Sequence, residues 1–242
     1  MTNQWVSTVF RENGGRKVFN VPSDRISRAD VLRVVNQRGR DPGDRILYAA
    51  CQTAPRHDEE SLRAKFKAIN SVGGANIYGL SEFVKAIDEW GRQYPGRLSR
   101  LISDGSPTQA CQLIGHVKRR RRISYTSAIS KFLAFHNPDR WPIYDEWVRK
   151  YLWALTLTVD MEGYWITPNH VLHGEPGWSG LENAESLKDY NLYVPYIDQL
   201  WDELCLPYRD LPIRDKEYVF WRLARERSVL RRKRSQPLRL RT

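Results

Sequence analysis

Residues 124–153 contain a lysine and an aspartate that could act together in catalysis, Lys131 and Asp145. The stretch reads SYTSAISKFLAFHNPDRWPIYDEWVRKYLW. At about 100° per residue, Lys131 shares a helical face with Ser124 and Ser127, opposite Ile129, Phe132 and Leu133. Such a small polar face meets either solvent or a cleft. Asp145 follows the helix-breaking NPDRWP turn and precedes the next apolar period, which predicts an N-cap. As a cap it binds backbone amides, and the same placement directs an ionised carboxylate off the helix end, where it can stabilise a developing cation.

The positive charge of the chain is concentrated in two places. Lys and Arg number 39 against 28 Asp and Glu, a formal net charge of +11. Residues 118–122 read KRRRR, and residues 222–242 hold nine basic residues against the single Glu226. These two blocks exceed the whole surplus, so the rest of the chain is nearly neutral. They are either solvated charge runs or a surface that binds a polyanion, because phosphate contacts supply the non-specific part of nucleic-acid affinity.

Length and composition exclude several classes of protein. The chain has 242 residues, 41% of them hydrophobic and 12% aromatic, which allows one large or two small globular units. Three scattered cysteines without a CxxC pair indicate neither a disulfide framework nor a zinc site. No signal peptide or membrane-spanning stretch is evident, so we expect a soluble protein in a reducing compartment. His170 and His173 form an HxxH near Glu175 without a defined third ligand, so no metal site is predicted.

The elements that must position Lys131 and Asp145 are mostly helical. Apolar spacing and Gly or Pro breaks predict helices at 28–38, 43–53, 58–71, 80–93 and 96–104. Ser106-Pro107 predicts the start of another helix, and three more are expected at 124–136, 184–204 and 214–232. Two β-branched and aromatic runs around Asn13-Gly14-Gly15 predict a short hairpin over residues 5–21. Residues 163–180 read as a long loop.

The order helix, NPDRW, Pro142-Ile143-Tyr144-Asp145, helix resembles the helix-hairpin-helix DNA glycosylases, particularly their 8-oxoguanine glycosylase-like branch. The last helix, IRDKEYVFWRLARE, is also similar to the closing helix of that family. The resemblance implies that Asp145 is the catalytic carboxylate and that Lys131 is the candidate amine, about one turn beyond the position near Thr126 where the family lysine falls. VKRRRRISYTS replaces the glycine-rich hairpin of the family, and Trp147 stands where a His is common.

The resemblance also implies how DNA would be held. Basic side chains would take the place of the backbone amides that hold a DNA phosphate, with these residues in the interface: Lys118, Arg119, Arg120, Arg121, Arg122 and Ser124. A base that leaves the duplex needs aromatic walls, for which Trp141, Trp147 and Trp221 are the nearest candidates. The cations at 118–122 are expected to lower the pKa of Lys131, so that its neutral amine can form a Schiff base.

The sequence therefore predicts a mainly α protein, a single glycosylase-like unit over 1–242 with a basic tail at 231–242. Two helical lobes are expected around a cleft, divided near 105–123. The predicted function is a DNA glycosylase that excises a damaged or modified base, in repair or in phage defence, with AP-lyase activity if Lys131 acts. The alternatives are a catalytically silent DNA- or RNA-binding module of glycosylase shape and a nucleic-acid-directed defence protein. We expect no cofactor, double-stranded DNA with a flipped base as partner, no membrane, and a cytoplasmic monomer, nucleoid-associated in a bacterium.

Overall fold

The computed structural model describes residues 5–12, 15–22, 26–38, 41–52, 57–121, 125–156, 160–161, 164–165, 186–204, 206, 208–227 and 229–233. The protein is mainly helical, as the sequence predicts. The α-helices within these ranges are α1 (Arg28–Arg38), α2 (Pro42–Gln52), α3 (Glu59–Ser71), α4 (Leu80–Arg92), α5 (Arg97–Asp104), α6 (Pro107–Arg121), α7 (Thr126–His136), α8 (Glu146–Thr156), α9 (Tyr190–Glu203) and α10 (Ile213–Arg227).

The ends of the first helices are set by local hydrogen bonds. The helices predicted at 28–38, 43–53, 58–71, 80–93 and 96–104 are α1 to α5, with each end displaced by at most one residue. Ser27 and Asp30 form a capping box at α1: the Asp30 amide donates to Ser27 Oγ at 3.1 Å and the Ser27 amide to Asp30 Oδ2 at 3.0 Å. Ser106 and Gln109 make the same reciprocal pair at the start of α6. The predicted start at Ser106-Pro107 is therefore confirmed.

The helices share one continuous apolar core. The α3 helix contacts α2, α4 and α7, and α4 also contacts α6. The α10 helix contacts α1, α8 and α9, and α9 joins the two sets through α6. Aromatic packing at the centre of the first set is close: the Phe66 ring stacks on Phe132 with centroids 4.9 Å apart and meets Phe83 edge-on at 4.8 Å.

Short strands accompany the helices. β1 (Trp5–Glu12) and β2 (Gly15–Pro22) pair antiparallel in the range where the sequence predicts a hairpin. β3 (Asp160–Met161) pairs with β4 (Tyr164–Trp165), and β5 (Val229–Lys233) pairs antiparallel with β2. The larger sheet thus has the order β1-β2-β5 and joins the two ends of the described chain. It contacts α8 and α10 through β2, and α8 also through β1.

Two predicted helices need correction. The helix predicted at 214–232 ends at Arg227, because residues 229–233 extend and pair with β2. The first three residues of the predicted basic tail therefore lie in β5, and residues 234–242 lie outside the described residues. The helix predicted at 184–204 is a 3₁₀ turn at Ser186–Lys188 followed by α9, whose N-cap Asp189 accepts a hydrogen bond from the Asn191 amide at 2.9 Å. Of the predicted loop at 163–180, only Tyr164–Trp165 is described.

Candidate functional site

The segment between α7 and α8 is held by hydrogen bonds from three directions. Trp141 Nε1 donates to the Ile102 carbonyl at 3.0 Å, which ties the turn to the end of α5. On α9, the hydroxyls of Tyr190 and Tyr193 donate to the carbonyls of residues 142 and 143 at 2.6 and 2.9 Å. On α7, buried Ser130 Oγ accepts from the amide of residue 144 at 2.9 Å. The backbone that leads into α8 is thus fixed residue by residue.

Asp145 follows this fixed backbone as the N-cap of α8. Its Oδ1 accepts hydrogen bonds from the Trp147 amide at 2.7 Å and the Val148 amide at 3.3 Å, so the predicted cap is confirmed. Among the described residues, no hydrogen bond or ion pair engages Oδ2. One oxygen of the half-buried carboxylate therefore holds the helix, and the other remains available to a ligand.

Asp145 lines a cavity of about 300 Å³ that also receives Lys131. Five parts of the chain form its walls: α2 with the residue before it, the loop after α3, α7, the segment before α8, and α10. The volume is at the lower end of the range of small-molecule sites. The sequence prediction that Lys131 and Asp145 face one cleft thus agrees with the cavity, although the two side chains form no direct ion pair.

Lys131 is half-buried, and its surroundings lower its pKa. Its Nζ donates to Ser127 Oγ at 3.0 Å, which agrees with the helical face predicted for this pair; Ser124 lies outside the described residues. Burial is the largest cause of the lowered pKa, and Arg214 adds to it, whereas Asp145 and Glu217 oppose it. Among the described side chains, the cation that lowers this pKa is Arg214 rather than Lys118, Arg119 or Arg120. The side chains of Arg121 and Arg122, which belong to the same predicted cause, lie outside the described ones.

The backbone after α3 packs against the stem of Lys131. A Cβ placed on Gly73 would lie 2.6 Å from the Ile69 carbonyl oxygen and 3.4 Å from Lys131 Cδ. The first of these distances is a collision with backbone, which cannot move aside easily. A glycine at this position therefore lets the loop close over the lysine stem and form one wall of the cavity.

A group of buried, ion-paired side chains, which the sequence analysis did not predict, forms another wall of the cavity. Arg214 on α10 pairs with Glu217 one turn later and lies 3.4 Å from Asp44 Oδ2 on α2. The side chains of Arg214 and Glu217 are 5% and 2% exposed. Burial, with the charges of Asp145 and Asp44, raises the pKa of Glu217 to about 7, although Arg214 acts in the opposite direction. Five charged groups are thus electrostatically linked inside one cavity: Asp44, Lys131, Asp145, Arg214 and Glu217.

The structure separates the three tryptophans predicted as a base pocket. Trp221 lines the cavity, stacks on Tyr218 with centroids 5.5 Å apart, and has the Arg225 guanidinium 5.2 Å from its ring. Trp141 is completely buried and holds the turn described above, so its predicted place in the pocket is corrected to the core. Trp147 is half-buried and packs against the core without lining the cavity.

The predicted DNA-binding residues lie at the end of α6. Lys118, Arg119 and Arg120 are exposed; only the backbone of Arg121 is described, and Arg122 lies outside the described residues. Arg120 pairs with Glu89 on α4 at 3.1 Å, and both side chains remain more than half exposed. The three described side chains do not line the cavity. They form an exposed basic edge on the helix that precedes α7.

Neither a metal-binding cluster nor a membrane-spanning helix is present in the described residues. The described residues contain no group of three or more His, Cys, Asp or Glu arranged to hold a metal ion. The HxxH of residues 170–173 and Glu175 lies outside them. No helix in the described ranges combines the length and the apolar character needed to cross a membrane.

Comparisons with protein-family models, with curated proteins and with solved structures found no match for this chain.

Proposed function

We propose that this protein is a DNA glycosylase that cleaves the N-glycosidic bond of a modified base. The observation that carries the proposal is that Lys131 and Asp145 line the same cavity in a mainly helical protein. These two residues come from consecutive helices joined by the NPDRWP turn, the order on which the resemblance to helix-hairpin-helix glycosylases rests. Their residue types and their shared cavity fit one reaction.

Asp145 would stabilise the positive charge of the reacting sugar. When the bond between C1′ and the base breaks, the base leaves with the electron pair and the sugar becomes oxocarbenium-like, as in glycoside hydrolysis. Oδ2, which has no partner among the described residues, supplies negative charge, while Oδ1 keeps the carboxylate in place through the amides of α8. Because these contacts exist before substrate binds, little reorganisation is needed in the transition state.

Lys131 would supply the nucleophile for an accompanying lyase activity. A partly buried amine with a lowered pKa is neutral in a larger fraction of molecules near pH 7. Its neutral nitrogen forms a bond to C1′ as the bond from C1′ to the base breaks, and the base leaves with that electron pair and takes up a proton. The C1′–O4′ bond then breaks, O4′ takes up a proton, and the nitrogen lone pair completes a protonated Schiff base. The Schiff base acidifies C2′, and loss of a C2′ proton expels the 3′ phosphate by β-elimination. If Lys131 does not attack, water takes its place and the enzyme is monofunctional.

In the proposed enzyme, the helices on the two sides of the cavity would form the walls of the cleft. The α2 and α7 helices and the loop after α3 supply one side of the cavity, and α10 with the residues before α8 supplies the other. Trp221 offers aromatic surface for an extruded base, and the charged groups beside it offer hydrogen bonds to its edge. The basic edge at Lys118–Arg120 would contact phosphates next to the flipped nucleotide. We propose a cytoplasmic monomer acting on chromosomal or foreign DNA.

The test is excision from a panel of duplexes that each carry one modified base, including 8-oxoguanine and hypermodified cytosines, followed by alkaline cleavage. We expect strand breaks for at least one duplex, loss of breaks with Asp145→Asn, and borohydride trapping that Lys131→Ala removes. Lys85→Ala, at an exposed lysine of α4, is the matched control and should behave as wild type. Duplex binding without breaks in any member of the panel would identify a catalytically silent binding module instead.

A further inference from the structure

A second cavity lies where α4, α5 and α6 meet, and its volume is about 250 Å³. Its walls are Trp90 in the last turn of α4, Tyr94 in the turn that follows, the first residues of α5, and the α6 residues Gln109 and Gln112. It shares no lining residue with the cavity of Lys131 and Asp145. It is therefore a separate place at which a ligand can bind.

Two aromatic rings and a guanidinium group form the centre of this second cavity. The Arg97 guanidinium carbon lies 3.8 Å from the centroid of the Trp90 ring and 5.3 Å from that of Tyr94. Its Nη1 donates to the Trp90 carbonyl at 3.4 Å and to Gln93 Oε1, which fixes the guanidinium beside the rings. Trp90 is 3% exposed, whereas Tyr94 is 61% exposed. The outer ring is thus open to solvent, next to a positioned cation.

The cations of the second cavity are not neutralised by carboxylates. Two arginines and no acidic residue line it. Within the described part of the chain, neither Arg97 nor the exposed Arg100 forms an ion pair. The carboxylates near the end of α4, Asp88 and Glu89, each pair with another arginine. The cavity therefore suits a ligand that carries both an aromatic ring and negative charge.

The α6 helix connects this cavity with the basic edge at its own end. Gln109, Gln112, His116 and Arg119 recur at spacings of three and four residues, so they follow one face of the helix. Gln112 and Arg119 are about 10 Å apart along the helix axis. Burial is the largest cause of the lowered pKa of His116, and cations from the cavity and from the basic edge, Arg97 and Arg119 among them, add to it. One positively charged face thus extends from the cavity to the basic edge.

Exposed aromatic rings beside a positively charged groove are the means by which proteins bind single-stranded nucleic acid. An unpaired base can stack on such a ring, whereas the bases of a duplex are stacked on one another and do not reach it. The adjacent cations contact the phosphates of the strand. Every base has a flat face, so this mode of binding needs no particular sequence.

We propose that the second cavity and the adjoining face of α6 bind single-stranded DNA, with an unpaired base stacked on Tyr94. Arg97 and Arg100 contact the flanking phosphates, and the side-chain amides of Gln109 and Gln112 offer hydrogen bonds to the base edge. The inference goes beyond base excision, because none of these residues lines the candidate active site. It rests on the proposed function only in the choice of DNA as the nucleic acid.

The first test is the affinity of Tyr94→Ala for a fluorescently labelled oligodeoxythymidylate. We expect it to bind about tenfold more weakly than wild type, because the stacking of one base is lost. Tyr94→Phe keeps the ring and should bind as wild type does. Tyr78→Ala is the matched control, since Tyr78 is 69% exposed and lies outside the cavity. All three variants should bind an unmodified DNA duplex with wild-type affinity.

The second test is the salt dependence of binding to the same single strand. Arg100→Gln should reduce the log–log slope by about 0.7, the effect of losing one phosphate contact on a single strand. Arg63→Gln removes an exposed arginine outside the cavity and should leave the slope unchanged.

The outcomes separate this site from the proposed activity. Equal affinities of Tyr94→Ala and Tyr78→Ala for the single strand, or no binding of it by wild type, would overturn the site even if the protein excises a base. A loss confined to Tyr94→Ala and to the single strand would support the site even if no duplex in the panel is cleaved. An equal loss on the duplex would overturn the assignment to single strands, and a larger loss on oligouridylate would overturn the assignment to DNA.

Discussion

At the scale of single residues, Asp145 combines a structural role and a proposed chemical role on different oxygens. Oδ1 caps α8 through two amides, and Oδ2 has no partner among the described residues. An amide in place of the carboxylate can still accept the capping hydrogen bonds, but it cannot offset a positive charge. The two roles can therefore be separated by one substitution.

We expect Asp145→Asn to reduce the rate of excision by roughly 10²–10³-fold, the effect of losing one preorganised electrostatic group. The free energy of unfolding should fall by less than about 1 kcal/mol, because capping ability is retained. Single-turnover excision and urea unfolding measure the two effects. Asp58→Asn is the control, since Asp58 caps α3 by accepting from the Ser61 amide at 2.8 Å outside the cavity. Full activity of Asp145→Asn would leave this residue as a cap alone.

Glu217 influences the proposed nucleophile from across the cavity. Its negative charge opposes the lowered pKa of Lys131, so Glu217→Gln should lower that pKa further. The rate of borohydride trapping rises with pH as the amine loses its proton. We therefore expect the rising limb of the pH profile to move to lower pH in Glu217→Gln. A Glu226→Gln variant removes a carboxylate that does not line the cavity, and it should leave the rising limb of the pH profile where it is in wild type. An unchanged pH profile in both variants would contradict the electrostatic coupling between Glu217 and Lys131.

The residue-scale features differ in how far the sequence could predict them. The Asp145 cap depends on amides two and three residues away, so a local pattern predicts it. The buried pair of Arg214 and Glu217, in contrast, depends on residues distant in sequence. Arg214 contacts Asp44, 170 residues earlier in the chain, and both members of the pair act on the pKa of Lys131. No local pattern reports such a contact. The same limit explains why the effect of Arg214 on the pKa of Lys131 was not predicted, since these two residues are 83 positions apart in the chain.

At the scale of elements, α9 positions the candidate site without contributing to its lining. Tyr190 and Tyr193, one turn apart, donate hydrogen bonds to consecutive carbonyls just before Asp145. Tyr193→Phe would leave the buried carbonyl of residue 143 without its donor, and we expect the free energy of unfolding to fall by roughly 1–3 kcal/mol. Excision should slow as Asp145 loses its fixed position. Tyr94→Phe removes an exposed hydroxyl and should stay within about 0.5 kcal/mol of wild type. Equal stabilities of the two variants would contradict this role.

The end of α6 provides the second element-scale prediction. Arg119→Ala with Arg120→Ala should reduce the log–log salt slope of duplex binding by about 1.8, because two phosphate contacts are lost. The ion pair of Arg120 with Glu89 is exposed on both sides, so its loss should change stability little. Arg63→Ala with Arg209→Ala removes two other exposed, ion-paired arginines and should leave the slope unchanged. Equal slopes in the two double variants would mean that the run is merely solvated.

Element boundaries followed from the sequence where local signals set them. Capping boxes and apolar spacing fix α1 to α6 within short stretches of chain, so their prediction needed no knowledge of the fold. The end of α10 was predicted too late because the helical spacing of its sequence runs on past Arg227. The partner that draws residues 229–233 into a strand is β2, about 210 residues earlier. The apolar spacing of a segment reports only its local structure, so it does not predict strand pairing over such a separation.

At the scale of the whole molecule, two half-buried histidines lie together beside the core, His57 before α3 and His136 at the end of α7. His57 and His136 meet edge-on with ring centroids 5.2 Å apart, and Phe132 lies within the same group. Burial, together with the charge of Lys65, lowers the pKa of His57 to about 4 and that of His136 to about 3, from 6.5. Both histidines are therefore neutral in the folded protein at physiological pH.

These histidines predict how the stability of the whole fold depends on pH. Above pH 6.5 they are neutral in both states, and their contribution to stability is complete. As the pH falls from 6.5 toward 4, the unfolded chain takes up protons that the folded protein does not, so the free energy of unfolding decreases. Glu217 acts in the opposite direction between pH 7 and 4.5, since its raised pKa makes the folded state the better proton acceptor.

Because two histidines oppose one glutamate, we expect wild-type protein to be less stable at pH 5 than at pH 7.5 in urea unfolding. His136→Phe keeps an aromatic ring beside Phe132 and removes one titrating group, so its loss of stability between these pH values should be smaller than that of wild type. Glu217→Gln should show a larger loss, because the compensating proton uptake is gone. The values at pH 7.5 serve as the reference that removes packing effects from the comparison. A His136→Phe protein whose stability falls as much as wild type between pH 7.5 and pH 5 would show that this histidine is not held neutral by the fold.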